Sequence, residues 1–141
     1  MYAGTLASLI LCALASIHVY WAGGGRWGKS AAIPTRNGQP LFRPGVGATL
    51  FVALGLYAMA GLLLLRAGWL VDLTAHQRLL DASRAGTWLL CIIFVLRALG
   101  DFRCVGLCKS IRDSRFARLD TLIYTPLCVL LALLIALAAM G

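Results

Sequence analysis

Four long apolar runs, separated by three polar stretches, dominate the pattern of the chain. The runs lie at about 3–22, 46–65, 87–106 and 120–140. Each is close to the roughly 20 residues that an α-helix needs to cross a bilayer. Because backbone polar groups find no water in hydrocarbon, such runs cross as helices. The pattern predicts an all-α fold, a four-helix integral membrane bundle that forms a single domain over residues 1–141.

Small residues recur at every fourth position of the first run, at Gly4, Ser8, Cys12 and Ser16. Such a stripe lets a second transmembrane helix approach closely. Tyr57, near the middle of the second run, is expected to pack or hydrogen-bond against a neighbouring helix.

The stretch between the second and third runs, at about 66–85, has a different periodicity. Val71, Ala75, Leu79 and Ala82 share one helical face, and charged residues surround it. This pattern predicts a short amphipathic helix lying on the membrane surface.

The composition supports the membrane assignment. Hydrophobic residues make up 61% of the chain and charged residues 13%, with no Glu. A soluble domain carries about 25% charged residues. The formal net charge is +8, and the basic residues fall mostly between the apolar runs. They form no stripe with interleaved aromatic residues, so anionic lipid rather than nucleic acid is the expected partner.

The distribution of Lys and Arg predicts the orientation. The first loop carries four basic residues, the third carries five with Arg103 included, and the second carries three. By the positive-inside rule, the first and third loops face the cytoplasm. With four spans, both termini then lie outside, an N-out/C-out topology.

Arg97 and Asp101 lie within the third run, where charge is expensive. A charge at the centre of a transmembrane helix costs about 2.5–3.5 kcal/mol on insertion scales. The two residues are four positions apart, so on a helix they would share one face and reach each other. We interpret them as one wall of a buried polar site.

Further polar residues are expected at the same depth under this topology. His18 lies at the inner end of the first span, and Asp120 and Tyr124 lie at the inner end of the fourth. With Arg97 and Asp101 they predict a polar pocket that opens to the cytoplasmic leaflet. Asp101 or Asp120 would act as acid or base, and Arg97 would clamp an anion. The alternative is a structural ion pair that only fixes helix register.

The first loop contains GGGRWGKS, Gly23–Ser30, which matches the phosphate-loop pattern. That motif requires a preceding strand within a βαβ unit, whereas here a transmembrane helix precedes it. The glycines still let backbone N–H groups turn toward an anion beside Arg26 and Lys29. A lipid phosphate is the expected occupant.

Cys104 and Cys108 are spaced by four residues near the end of the third run and share a helical face with Asp101. A zinc site would need two further ligands, and His18 is the nearest candidate. No metal and no cofactor are therefore predicted.

Several segments together resemble a known family, namely HVYWAGGGRWG, AIP, LFRPG, LRALGDFRCVGLCK and FARLDTLIYTPLC. In this order and spacing they resemble small four-span bacterial membrane proteins catalogued as domain of unknown function three-nine-nine-five. The resemblance covers nearly the whole chain and implies a multi-pass protein of the bacterial inner membrane. Members tend to carry aromatic residues at the positions of Cys104 and Cys108, which further weakens the metal hypothesis. The family implies no activity.

Three functional hypotheses remain open. The first is binding of a lipid or another amphiphilic small molecule in the polar pocket, with or without acid–base chemistry. The second is a small oligomeric transporter in which the same carboxylates couple protons. The third is a structural or accessory subunit whose charges only pack. Whether the protein is an enzyme, and whether it forms a homo-oligomer, stays open.

Overall fold

A computed structural model describes residues 2–36, 39–70, 76–103, 105–110 and 114–141. Its elements in chain order are α1 (Tyr2–Ala22), α2 (Lys29–Ala32), β1 (Thr35–Arg36), β2 (Gln39–Pro40), α3 (Val46–Arg66), α4 (Gln77–Leu99), α5 (Arg115–Leu119), a π-helical turn (Asp120–Tyr124) and α6 (Thr125–Met140).

Four helices of the described chain are long and apolar enough to span a membrane: α1, α3, α4 and the continuous helix Arg115–Met140. α1 packs on α3, α3 on α4, α4 on α6, and α6 closes against α1. The bundle therefore follows chain order around its axis, so that helices consecutive in the sequence are neighbours. The predicted all-α membrane fold is confirmed, whereas the direction of the termini stays a prediction.

Small residues set the contact between α1 and α3. Gly4 and Ser8 are buried, and the Ser8 hydroxyl donates to the Ala60 carbonyl at 3.0 Å. A Cβ atom at Gly4 would lie 3.3 Å from the Cβ of Ala138 on α6. The predicted close approach is confirmed, because a larger side chain at either position would separate the helices. Tyr57 also bonds a neighbouring helix as predicted, since its hydroxyl lies 2.9 Å from Ser16 Oγ.

The outer surface of the bundle is apolar. Large side chains such as Phe51 on α3 and Leu122 on the fourth spanning helix are more than two-thirds exposed. A soluble monomer rarely exposes a continuous apolar surface of this kind, so this surface faces lipid. The chain is a multi-pass membrane protein.

The third spanning helix occupies a different range from the one that the sequence pattern predicts. α4 begins at Gln77 and ends at Leu99, so Leu79 and Ala82 belong to α4 and not to a separate surface helix. Val71 and Ala75, the other residues of that predicted helix, lie outside the described residues. The helix ends because Gly100 takes φ of 93°, a conformation that favours glycine.

The fourth spanning helix contains one wide turn. Thr125 donates its N–H to the Asp120 carbonyl, five residues earlier, which defines the π turn. Pro126 follows in the first turn of α6. It has no N–H to donate, and its ring would crowd the carbonyl four residues before it. A wide turn at this place relieves that conflict, and π turns of this kind are frequent at functional sites.

Candidate functional site

A buried carboxylate, that of Asp120, lies at the start of the π turn and is fully shielded from solvent. Its Oδ1 accepts from Arg97 Nη2 at 3.3 Å. Its Oδ2 accepts from Lys109 Nζ at 2.8 Å and from the Gly106 N–H at 2.8 Å. The Thr125 hydroxyl donates to the same oxygen at 3.3 Å. Four donors therefore surround this one carboxylate.

The partner cation, Lys109, is also buried, with 5% of its surface exposed. Its Nζ donates to Thr121 Oγ1 at 2.7 Å as well as to Asp120. The Thr121 hydroxyl in turn donates to the Ala117 carbonyl at 3.1 Å. A buried ion pair is tolerated when hydrogen bonds satisfy its remaining atoms in this way. We call Arg97, Gly106, Lys109, Asp120 and Thr125 the Asp120 cluster.

Arg97 forms its ion pair across the bundle and not along its own helix. The predicted pair of Arg97 and Asp101 on one helical face is wrong, because α4 ends at Leu99 and Asp101 lies in the loop that follows. The guanidinium instead reaches Asp120 in the fourth spanning helix. Its Nη1 atom is buried and finds no hydrogen-bond partner among the described residues.

Asp101 has a local role in the loop at 100–110. Its Oδ1 accepts from the N–H groups of Arg103 and Val105, each at 2.9 Å. The loop closes back onto α4, because the Leu107 N–H donates to the Ala98 carbonyl at 2.9 Å. Asp101 thus stabilises the turn that brings Gly106 and Lys109 to Asp120. Cys104, considered above as a metal ligand, lies outside the described residues.

Lys109 was not among the residues that the sequence pattern singled out. It lies in a basic loop, and in the sequence it looks like one more positive charge facing anionic lipid. Only the chain reversal in the loop at 100–110 brings its side chain to the buried Asp120. No spacing or motif in the sequence signals that burial.

A second region lies between the ends of α1 and α3, where His18 and Lys29 face one cavity of about 350 Å³. Its walls are mostly apolar, and the other residues lining it are Trp21, Ala32, Ile33, Phe42, Pro44, Ala48, Thr49 and Val52. The hairpin of β1 and β2, with α2, forms the polar end of this region.

A basic cavity of about 480 Å³ adjoins this apolar cavity and shares Lys29, Ile33 and Pro44 with it. Arg26 and Arg43 add two further positive charges to its wall. Among the described residues that line it, none is acidic. The two cavities share part of their walls, one mostly apolar and the other positively charged, and we call them together the α1–α3 cleft.

His18 has a defined tautomer in the wall of the cleft. Its Nδ1 lies 2.8 Å from the Leu14 carbonyl, which can only accept, so Nδ1 carries the proton. In the neutral ring, Nε2 is then a hydrogen-bond acceptor. Trp21 packs edge-on against the imidazole, with ring centroids 5.1 Å apart.

Tyr124 connects the two regions. Its hydroxyl donates to the Ala31 carbonyl of α2 at 3.3 Å, and its ring packs against Phe116 with centroids 5.9 Å apart. The residues predicted to share one pocket are therefore divided. Arg97 and Asp120 belong to the Asp120 cluster, His18 belongs to the cleft, and Tyr124 lies between them.

Comparison with protein families gives a match over most of the chain. The family model for proteins of unknown function, DUF3995, matches residues 11–135. The chain belongs to the DUF3995 family. Comparisons with curated proteins and with solved structures gave no match. The matched range includes both the Asp120 cluster and the α1–α3 cleft, so both lie in the part of the chain that matches the DUF3995 family.

Proposed function

We propose that this protein binds an anionic phospholipid of the cytoplasmic leaflet in the α1–α3 cleft. The observation that carries the proposal is that an apolar cavity and a basic one share Lys29 and two further residues, Ile33 and Pro44, in their walls. An amphiphile needs both environments at a fixed separation. The apolar cavity would take part of an acyl chain, and the basic cavity would take the phosphate.

Charge complementarity favours a head group with a net negative charge over a zwitterionic one, because the same cations repel the ammonium of the latter. Arg26, Lys29 and Arg43 line the basic cavity, and the whole first loop, residues 23–45, contains no Asp and no Glu. Guanidinium groups bind phosphate oxygens through two parallel hydrogen bonds. The Ser30 hydroxyl, also in that wall, supplies a further donor.

We expect the apolar part of the cleft to open toward the lipid. Phe42 and Val52, both in its wall, are exposed on the outer surface. A lipid can therefore enter sideways from the leaflet with its chain remaining in an apolar environment. Burial of chain methylenes then adds to the attraction of the head group, at about 0.8 kcal/mol each.

The geometry of the carboxylates favours binding over acid–base chemistry. Asp120 already accepts from four donors, and Asp101 holds a turn. A general base needs a lone pair within reach of its substrate. The catalytic assignment of Asp101 and Asp120 stays a prediction, as do the transporter and the accessory subunit.

We place the protein in the bacterial inner membrane, with the basic cavity on the cytoplasmic side.

The test is lipid selectivity of the purified protein in detergent. We expect fluorescent phosphatidylglycerol to bind more tightly than phosphatidylcholine. An interfacial cation contributes about 1 kcal/mol to binding of anionic lipid. Lys29→Ala should therefore weaken phosphatidylglycerol binding by about fivefold, and the triple change with Arg26→Ala and Arg43→Ala should remove the selectivity.

The matched control is Arg78→Ala with Arg84→Ala, which removes exposed charges from the first half of α4. It should leave the selectivity unchanged. Val52→Trp would fill the apolar part of the cleft and should weaken binding, whereas Leu54→Trp on the lipid-facing surface should not. Equal affinity for the two lipids in the wild type would overturn the proposal, and so would full competition by inorganic phosphate alone.

A further inference from the structure

We infer that Tyr124 is a positioning residue for the α1–α3 cleft, because it holds α2, which carries the phosphate-binding side of that cleft. The inference rests on the proposed function and deepens it. The sequence suggests direct contact of Tyr124 with a ligand, whereas the structure points to an action through the backbone of α2.

The contact that carries the inference is the hydrogen bond from the Tyr124 hydroxyl to the Ala31 carbonyl at 3.3 Å. Ala31 is buried, and α2 packs on α5. The residues on either side of Ala31 line the cleft, namely Ser30 in the basic cavity and Ala32 in the apolar one. A shift of Ala31 would therefore move both walls together.

α2 depends on such external support. It has only four residues, and its N-cap, Gly28, makes no side-chain capping bond. A single helical turn fixes several backbone dihedrals for few hydrogen bonds and is unstable in isolation. Carbonyls in the last turn of a helix also lack partners within it. Tyr124 supplies one of the missing donors.

The position of Tyr124 is in turn fixed by the Asp120 cluster. Asp120 and Tyr124 are the first and last residues of the π turn. Lys109 and the Gly106 N–H hold Asp120 from the loop at 100–110, and Phe116 packs against the Tyr124 ring. The Asp120 cluster would thus affect the cleft indirectly, through Tyr124 and α2, without contacting the lipid.

The test compares Tyr124→Phe with Tyr57→Phe. Both changes delete one hydroxyl that bonds a neighbouring segment, but Tyr57 bonds Ser16 and lines neither cavity of the cleft. We expect Tyr124→Phe to weaken phosphatidylglycerol binding by about two- to tenfold, the range set by loss of one hydrogen bond. Amide hydrogen exchange in Lys29–Ala32 should accelerate by a similar factor. Tyr57→Phe should change neither quantity.

The outcomes separate the two proposals. Absence of lipid selectivity in the wild type would overturn the proposed function and this inference together. Selective binding that Tyr124→Phe retains would overturn only the inference. Unchanged hydrogen exchange in Lys29–Ala32 would also overturn it, because α2 would then not depend on Tyr124. Direct contact of Tyr124 with lipid would appear as weaker binding without faster exchange.

Discussion

Asp120 is the residue that joins the end of α4 to the start of the fourth spanning helix. Its carboxylate joins three parts of the chain, since Arg97 comes from α4, Lys109 and Gly106 come from the following loop, and Thr125 begins α6. A buried charge with these partners is stable, but loss of the negative charge removes the carboxylate that Arg97 and Lys109 share.

Asp120→Asn tests this dependence at constant side-chain shape. We expect the free energy of unfolding in detergent to fall by about 3–5 kcal/mol, the range for breaking a buried ion pair on one side. The reason is that Lys109, 5% exposed, would stay buried beside a neutral amide. Thermal unfolding followed by circular dichroism measures the change.

Asp81→Asn is the matched control. Asp81 is exposed on α4 and accepts a hydrogen bond from Gln77 at 2.9 Å. An exposed substitution of this kind stays within about 0.5 kcal/mol. Equal stability losses for the two variants would contradict the role assigned to Asp120.

At the scale of elements, the loop at 100–110 decides where the site lies. The backbone crosses itself closely there, and a Cβ atom at Gly100 would overlap the Val105 carbonyl oxygen. Gly100 and Gly106 both have positive φ. The close crossing turns the chain so that Lys109 reaches the interior and Asp101 remains in the loop.

Gly100→Ala should therefore disrupt the loop. We expect a loss of at least about 2 kcal/mol, because φ of 93° with ψ of −170° is a conformation that only glycine adopts readily and because the new Cβ would overlap the carbonyl. The control is Gly55→Ala in the middle of α3, where the space around a new Cβ is open among the described residues and where alanine gains about 0.5–1 kcal/mol in a helix. Thermal unfolding of both variants gives the comparison, and a Gly100→Ala protein as stable as the wild type would refute the tight crossing.

At the scale of the whole molecule, the first and third loops meet at one end of the bundle. Tyr124 bonds Ala31, and α5 packs on α2. The Asp120 cluster and the α1–α3 cleft therefore lie at the same end, which agrees with loops that share one side of the membrane. The positive-inside rule assigns that side to the cytoplasm.

Cysteine labelling tests this orientation. In a variant with the five native cysteines replaced, Ser30→Cys should resist a membrane-impermeant maleimide added to intact cells and react after permeabilisation. Gln77→Cys, at the start of α4, should react from outside in intact cells. The reverse pattern would invert the topology and would move the proposed lipid site to the outer leaflet.

The sequence by itself determined the class of the protein. Four apolar runs of membrane-spanning length specify four helices, and the small residues at Gly4 and Ser8 predict close packing of α1. These features follow from local composition and periodicity, which do not depend on remote contacts. The cost of charge in an apolar run also singled out Arg97, and the depth that the predicted topology gives to His18 and Asp120 singled out those two. The functional roles of these residues stay predictions.

The tertiary structure alone decided how those residues combine. The sequence spacing paired Arg97 with Asp101, but Gly100 ends α4 and leaves Asp120 as the partner of Arg97. Lys109 has no local signal, because its burial results from a backbone reversal and from contact with a helix 11 residues further along. Lys29 likewise lines the α1–α3 cleft only because of the way the first loop packs on the bundle. Such contacts between distant segments are set by packing of the whole chain, and no periodicity within one segment encodes them.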